Sequence, residues 1–181
     1  MSHAVLIAGN ARRFVDTAQN FRLYLVREKL VTPKKARLLT TVYVAEEMFA
    51  YRLSSAIAAK ITEPLLIFFS GHGNELGWAL DDVRIFSYHR LAKTLLAGRR
   101  PVTIVNDCCH AMAAVKEFKR LHVSPERLSF IAAAEAGETI SGGIAEIVLN
   151  SWKQGRPVRF SSELRWGNRF DDHYYSSSAV K

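Results

Sequence analysis

Cysteine is scarce in this 181-residue chain: there are two, and they are neighbours, Cys108 and Cys109. A disulfide between adjacent residues demands a strained ring, so no disulfide framework is expected and both thiols are read as reduced. Their lack of spacing also argues against a structural zinc site made from His72, Cys108, Cys109 and His110, because such sites set their cysteines a few residues apart. Long apolar runs are lacking as well. The N-terminal one, from His3 to Ala8, is short and has no basic leader, so neither a secretory signal nor a spanning helix is expected there, and a cytoplasmic protein with no membrane partner is expected. Acidic residues are outnumbered, 17 Asp and Glu against 25 Lys and Arg, for a formal charge of +8. The bases are scattered in small groups (Arg12-Arg13, Lys34-Lys35 with Arg37, Arg99-Arg100), each beside an expected element end. No aromatic platform or recognition-helix motif accompanies them, so nucleic acid is not an expected partner. Internal repeats are absent, and low complexity is limited to Ser176-Ser177-Ser178.

What is present is a large apolar fraction, 49% of residues, at a mean hydropathy of -0.01, enough for one well-buried domain. Apolar strand-like runs occur at His3 to Ala8, Leu38 to Val44, Leu65 to Phe69, Val102 to Val105 and Leu128 to Ala134. Helical spacing fills the intervals: Asp16 to Lys29, Glu46 to Lys60, Tyr88 to Leu96, Ala111 to Leu121 and Ile140 to Lys153. Trp78 to Phe86 reads as a small hairpin turning at Asp81-Asp82. This alternation predicts an α/β fold, a three-layer α/β/α sandwich around a mostly parallel sheet. The domain is placed at 1–155. Residues 156–181 form a C-terminal extension packing on it or trailing from it.

In parallel sheets, function gathers where the strands end. The third strand runs into Ser70-Gly71-His72-Gly73, and the fourth into Asp107-Cys108-Cys109-His110. A thiol becomes a strong nucleophile when a neighbouring imidazole takes its proton, so the two strand ends together predict a Cys/His hydrolase. Taken singly, each residue has a bland reading. A lone cysteine after a strand is more often a core residue, a lone histidine a polar turn residue, and Asp107 is equally suited to capping the next helix. Backbone N–H groups at Gly73 and Cys109 are candidates for holding an oxyanion, each worth about 3 kcal/mol in other hydrolases.

Ser-Gly-His-Gly and Asp-Cys-Cys-His resemble the two signature motifs of the caspase-like cysteine peptidases, in the metacaspase, orthocaspase and paracaspase branch. The resemblance extends from the N-terminus to about Gly155. It implies that His72 is the catalytic base and that Cys109, the cysteine directly before the motif histidine, is the nucleophile rather than Cys108. It further implies an S1 pocket lined by Asp107 and Ser70, with a further acid after the first strand, for which Asp16 is the nearest candidate. Glu138 or Glu135, after the fifth strand, is a competing pocket acid. A carboxylate pairs bidentately with guanidinium and less specifically with ammonium, so the implied substrate is a protein or peptide cut after Arg in preference to Lys. The chain departs from the family at Ala111-Met112, where Ser-Gly is usual, and at Cys108, where Ser or Ala often stands. The segment from Cys109 to the fifth strand is short and mostly helical, so activation by linker cleavage is not expected, and an activating partner has room in the scheme. No cofactor is expected; the resemblance leaves calcium dependence open, since some relatives show it and the acidic pairs Asp81-Asp82 and Asp171-Asp172 do not by themselves define a calcium site. The alternative is a non-catalytic caspase-like interaction module.

Overall fold

A computed structural model describes residues 3–41, 44–58, 63–133 and 144–154. Five parallel strands form the main sheet: β1 (His3–Ala8), β2 (Ala36–Thr40), β3 (Leu65–Ser70), β7 (Val102–Asp107) and β8 (Leu128–Ala132). Their spatial order is β2-β1-β3-β7-β8. Every residue of β3 and β7 is buried, because helices cover both faces and neither side of these strands meets water. Side chains alternate across the pleat, and the core divides accordingly. Ala4, Leu6, Leu66, Phe68 and Val105 pack towards α1 (Arg12–Arg27) and α5 (Ile144–Lys153). Val5, Ile7, Ile67, Phe69 and Ile104 pack towards α2 (Glu46–Ala58), α3 (Tyr88–Ala97) and α4 (Ala113–Arg120). The result is the expected three-layer α/β/α sandwich.

Aromatic pairs anchor both layers. Phe21 of α1 stacks on Phe68 at 4.2 Å between centroids, and Trp78 stacks on Phe69 at 4.6 Å; each such pair adds about 0.5–1.5 kcal/mol beyond the area it buries. Trp78 belongs to a small antiparallel sheet, β4 (Gly73–Asn74), β5 (Gly77–Ala79) and β6 (Ile85–Ser87), inserted directly after β3. The expected hairpin is therefore real and has a third strand, which begins at Gly73 beside His72. Its tip is held by Asp81, whose carboxylate accepts from the Val83 and Arg84 N–H groups and pairs with the Arg84 guanidinium. That pairing holds the Asp81 carboxyl down at about 2.

Several boundaries differ from expectation for physical reasons. Helix α1 starts at Arg12, not Asp16: Ala11 offers no side-chain cap, and the extra turn is held by Phe14 and Val15 packing against the core. Strand β2 occupies Ala36–Thr40 instead of Leu38 to Val44, because the 3-10 turn Pro33–Lys35 delivers Ala36 directly opposite Ala4 and β1 ends opposite Thr40. Helix α4 starts two residues late, after a turn in which His110 takes a φ of 53°. The C-terminal extension at 156–181 and the competing pocket acids Glu135 and Glu138 lie outside the described residues. No helix among the described residues is long and apolar enough to cross a membrane.

Candidate functional site

Register places the motif residues. Thr40, Ala8, Ser70 and Asp107 form one row across β2, β1, β3 and β7 at the carboxyl edge of the sheet. Both β3 and β7 extend beyond their apolar runs, so Ser70 and Asp107 lie inside the sheet and not in loops. The Ser70 hydroxyl donates to Asp107 Oδ2 at 3.2 Å. Asp107 is only 5% exposed, and its Oδ1 has no hydrogen-bond partner among the described residues. Burial pushes its carboxyl up to about 6, opposed by the Ser70 hydroxyl and by the Ile144 N–H at the start of α5. Asp107 does not cap the following helix: Met112 occupies that position and no side chain caps α4.

Beyond the row, the chain leaves both strands into tight loops. His72 is exposed and meets Phe14 of α1 edge-on, with ring centroids 4.9 Å apart. Its carbonyl accepts from Ala79 N–H at 2.9 Å, so the three-stranded sheet holds the histidine loop from behind. Gly73, the next residue, packs against the cysteine turn so closely that a Cβ there would stand 2.6 Å from Cys108 Sγ and 2.7 Å from the Cys109 carbonyl oxygen. Only glycine permits that approach. It brings the His72 loop and the Cys109 turn together although their motifs are separate in sequence.

The two thiols occupy different surroundings. Cys108 is 2% exposed, and burial pushes its thiol far above the ordinary range. Its Sγ donates to Asn106 Oδ1 at 3.3 Å and lies 3.6 Å from the Tyr88 hydroxyl. Cys109 is partly exposed. Neither is in a disulfide. A thiol that resists ionisation and makes core hydrogen bonds is poorly suited to nucleophilic attack, which leaves Cys109 as the reactive candidate.

Asp16 is the one named pocket residue that the structure sets apart. Because α1 begins early, Asp16 falls inside the helix on an exposed face, where its carboxylate is 65% exposed and pairs with Arg12 at 3.9 Å. Conversely, Asn106 was not singled out from the sequence, though it is fully buried and joins four partners. Its Oδ1 accepts from Trp78 Nε1 at 2.7 Å and from Cys108; its Nδ2 donates to the Ala111 carbonyl at 3.2 Å and lies 3.5 Å from the Tyr88 hydroxyl. The signal available was an amide at the end of an otherwise apolar run. No group of three or more His, Cys, Asp or Glu side chains among the described residues is arranged to hold a metal ion.

No family model matches the chain, and no curated protein matches it. Among solved structures it is similar to the crystal structure of Chaetomium thermophilum Raptor, with a TM-score of 0.56 and 15% sequence identity over 96% of this chain. The chain spans 20% of that protein's length, and at this identity the likeness concerns the fold alone.

Proposed function

We propose that the chain is a caspase-like cysteine endopeptidase that cuts protein or peptide substrates after Arg, and less readily after Lys, through Cys109 and His72. The observation that carries this reading is the packing of Gly73 against the Cys108–Cys109 turn, which leaves no room for a side chain between the two motifs. In the proposed cycle, the His72 imidazole takes the Cys109 thiol proton and the thiolate adds to the scissile carbonyl carbon. The Gly73 and Cys109 N–H groups receive the oxyanion. Collapse expels the amine, which leaves with the proton from His72, and a thioester remains on Cys109. Water then attacks the thioester carbonyl, giving its proton to His72, and the acid departs as the thiol reforms.

Specificity in this reading comes from Asp107. Its buried carboxylate, with Oδ1 unpartnered among the described residues, supports recognition of a cation, since a guanidinium offers both a hydrogen bond and a charge. Ser70 holds the other oxygen and fixes the carboxylate plane. The pocket is proposed without Asp16, which stands on the exposed face of α1.

An arginyl electrophile directed at thiols tests the reading: it should label wild-type protein at Cys109, and prior treatment with an arginyl peptide aldehyde should block labelling. Absence of labelling in a folded sample would favour the non-catalytic interaction module. Cleavage seen only after adding a cell extract would point instead to an activating partner.

A further inference from the structure

We infer that Asn106 is the positioning residue of this site: a buried amide that ties the His72 loop to the Cys109 turn. The inference rests on the peptidase reading and deepens it. Asn106 lies on the α2–α4 side of β7, opposite the side that carries Asp107, and its hydrogen bonds reach each segment that shapes the dyad. Trp78 Nε1, which donates to Oδ1 at 2.7 Å, sits on β5 directly opposite Gly73, so this bond holds the strand that follows His72. The Ala111 carbonyl, which accepts from Nδ2 at 3.2 Å, lies just after the cysteine turn, so this bond holds the segment that follows Cys109. The Cys108 thiol, donating to the same Oδ1, fixes the residue immediately before Cys109.

One planar amide therefore sets the separation of two loops that approach each other within the space of a missing Cβ. The Trp78 ring is fully buried and stacked on Phe69, so its N–H cannot turn to another partner without unpacking the core. A buried amide engaged on both its oxygen and its nitrogen is costly to break, and it specifies one arrangement. Asn106 touches no substrate in the proposed cycle. Its contribution is geometric, keeping the imidazole within proton-transfer reach of the thiol.

The test reads the pH dependence of Cys109 alkylation by iodoacetamide, with the modified residue identified by tandem mass spectrometry, alongside kcat and KM for an arginyl peptide. His72→Ala should move the alkylation profile of Cys109 to higher pH. Asn106→Leu, which keeps the branched heavy-atom skeleton and deletes the hydrogen bonds, should move it in the same direction and lower kcat about 10–100-fold, with KM within about 2-fold of wild type. Trp78→Phe removes the indole N–H together with part of the ring and keeps an aromatic ring at the site, so it should show the same signature at smaller amplitude and decides the matter if Asn106→Leu does not fold. Wild-type alkylation profiles and kcat in folded Asn106→Leu and Trp78→Phe, with His72→Ala still shifting the profile, would overturn the positioning role and leave the peptidase reading standing. No effect of His72→Ala on the Cys109 profile would overturn the reading itself, and the inference with it.

Discussion

Four consecutive residues divide into two regions. Asn106 and Cys108 turn to the α2–α4 side, where every polar atom of Asn106 is engaged and the Cys108 thiol is sealed in the core. Asp107 turns to the other side, towards α1 and α5, with Oδ1 unpartnered among the described residues, and Cys109 emerges partly exposed. The first pair looks like support and the second like chemistry. Hydrogen-bond satisfaction separates them better than residue type does, since both pairs join a polar side chain to a cysteine. A satisfied buried group resists change, whereas an unsatisfied one retains free energy that a ligand can recover.

The largest expected effect breaks the comparison at the thiols. Cys109→Ala should lower cleavage of an arginyl fluorogenic peptide by about 10⁴-fold or more, as loss of a covalent nucleophile does elsewhere. Cys108→Ala should leave turnover within about 10-fold and appear instead as a stability loss of roughly 1–2 kcal/mol in urea unfolding, because a buried hydrogen-bonded group has gone. The opposite assignment of effects would exchange the roles of the two cysteines. Next in size is Asp107→Asn. It should cost about 10²-fold or more in kcat/KM on arginyl substrates, the scale of stranding one partner of a buried charge pair, and much less on substrates with neutral side chains.

The same carboxylate gives a stability prediction of opposite sign. Its folded value of about 6 lies above the ordinary carboxyl value of about 4. The folded state therefore binds the proton more tightly, and stability falls as pH rises from about 4 through about 6. Above that window the buried charge costs on the order of 3 kcal/mol. Asp107→Asn should then melt higher than wild type at pH 7.5, with the gain shrinking as pH falls through about 6 and gone below about pH 4. A melting-temperature difference that does not change with pH would remove the buried-charge explanation. Cleavage after Arg by the wild-type protein should weaken as pH falls through 6 and the carboxyl gains its proton.

Much of this was legible in the sequence because it is local. The five strands announce themselves as apolar runs, and the helices between them by spacing, so the layered fold followed from pattern alone. The two motifs were legible as pairs of strand ends. Boundaries were less so. The start of α1 was expected at Asp16 and lies at Arg12, which puts Asp16 inside the helix on an exposed face, paired with Arg12. Ser70, Asn106 and Asp107 were excluded from their strands because apolarity marks burial, whereas strand membership is set by the neighbour's register. The Asn106 network was the least accessible, since its partners Trp78 and Tyr88 lie 28 and 18 residues away and only the folded chain brings them to one amide.

Smaller changes sharpen the support side of the comparison. Gly73→Ala forces a methyl group against Cys108 Sγ and the Cys109 carbonyl, and one of those two contacts is with backbone that cannot swing aside. A destabilisation of roughly 1–3 kcal/mol is expected from the overpacking, together with a drop in kcat, because the loops must part to admit the methyl. Unchanged stability and turnover would mean that the His72 loop is not seated on the cysteine turn as described.

Tyr88→Phe should be the mildest. Its hydroxyl reaches Asn106 Nδ2 at 3.5 Å and Cys108 Sγ at 3.6 Å, both long, while the shorter bond that holds Asn106, from Trp78 at 2.7 Å, is untouched. The phenyl ring still fills its site, so only the hydroxyl's net contribution is lost, about 0.5–1.5 kcal/mol at most. Turnover should stay within about 3-fold, since Asn106 retains the bonds that reach both loops. Comparing urea midpoints of Tyr88→Phe and Trp78→Phe, with the lost ring volume at position 78 counted against Trp78, ranks the acceptor and the donor that hold Asn106. If Tyr88→Phe costs more stability and more kcat than Trp78→Phe, the amide is anchored from α3 and not from the small sheet, and control of the His72 loop passes with it.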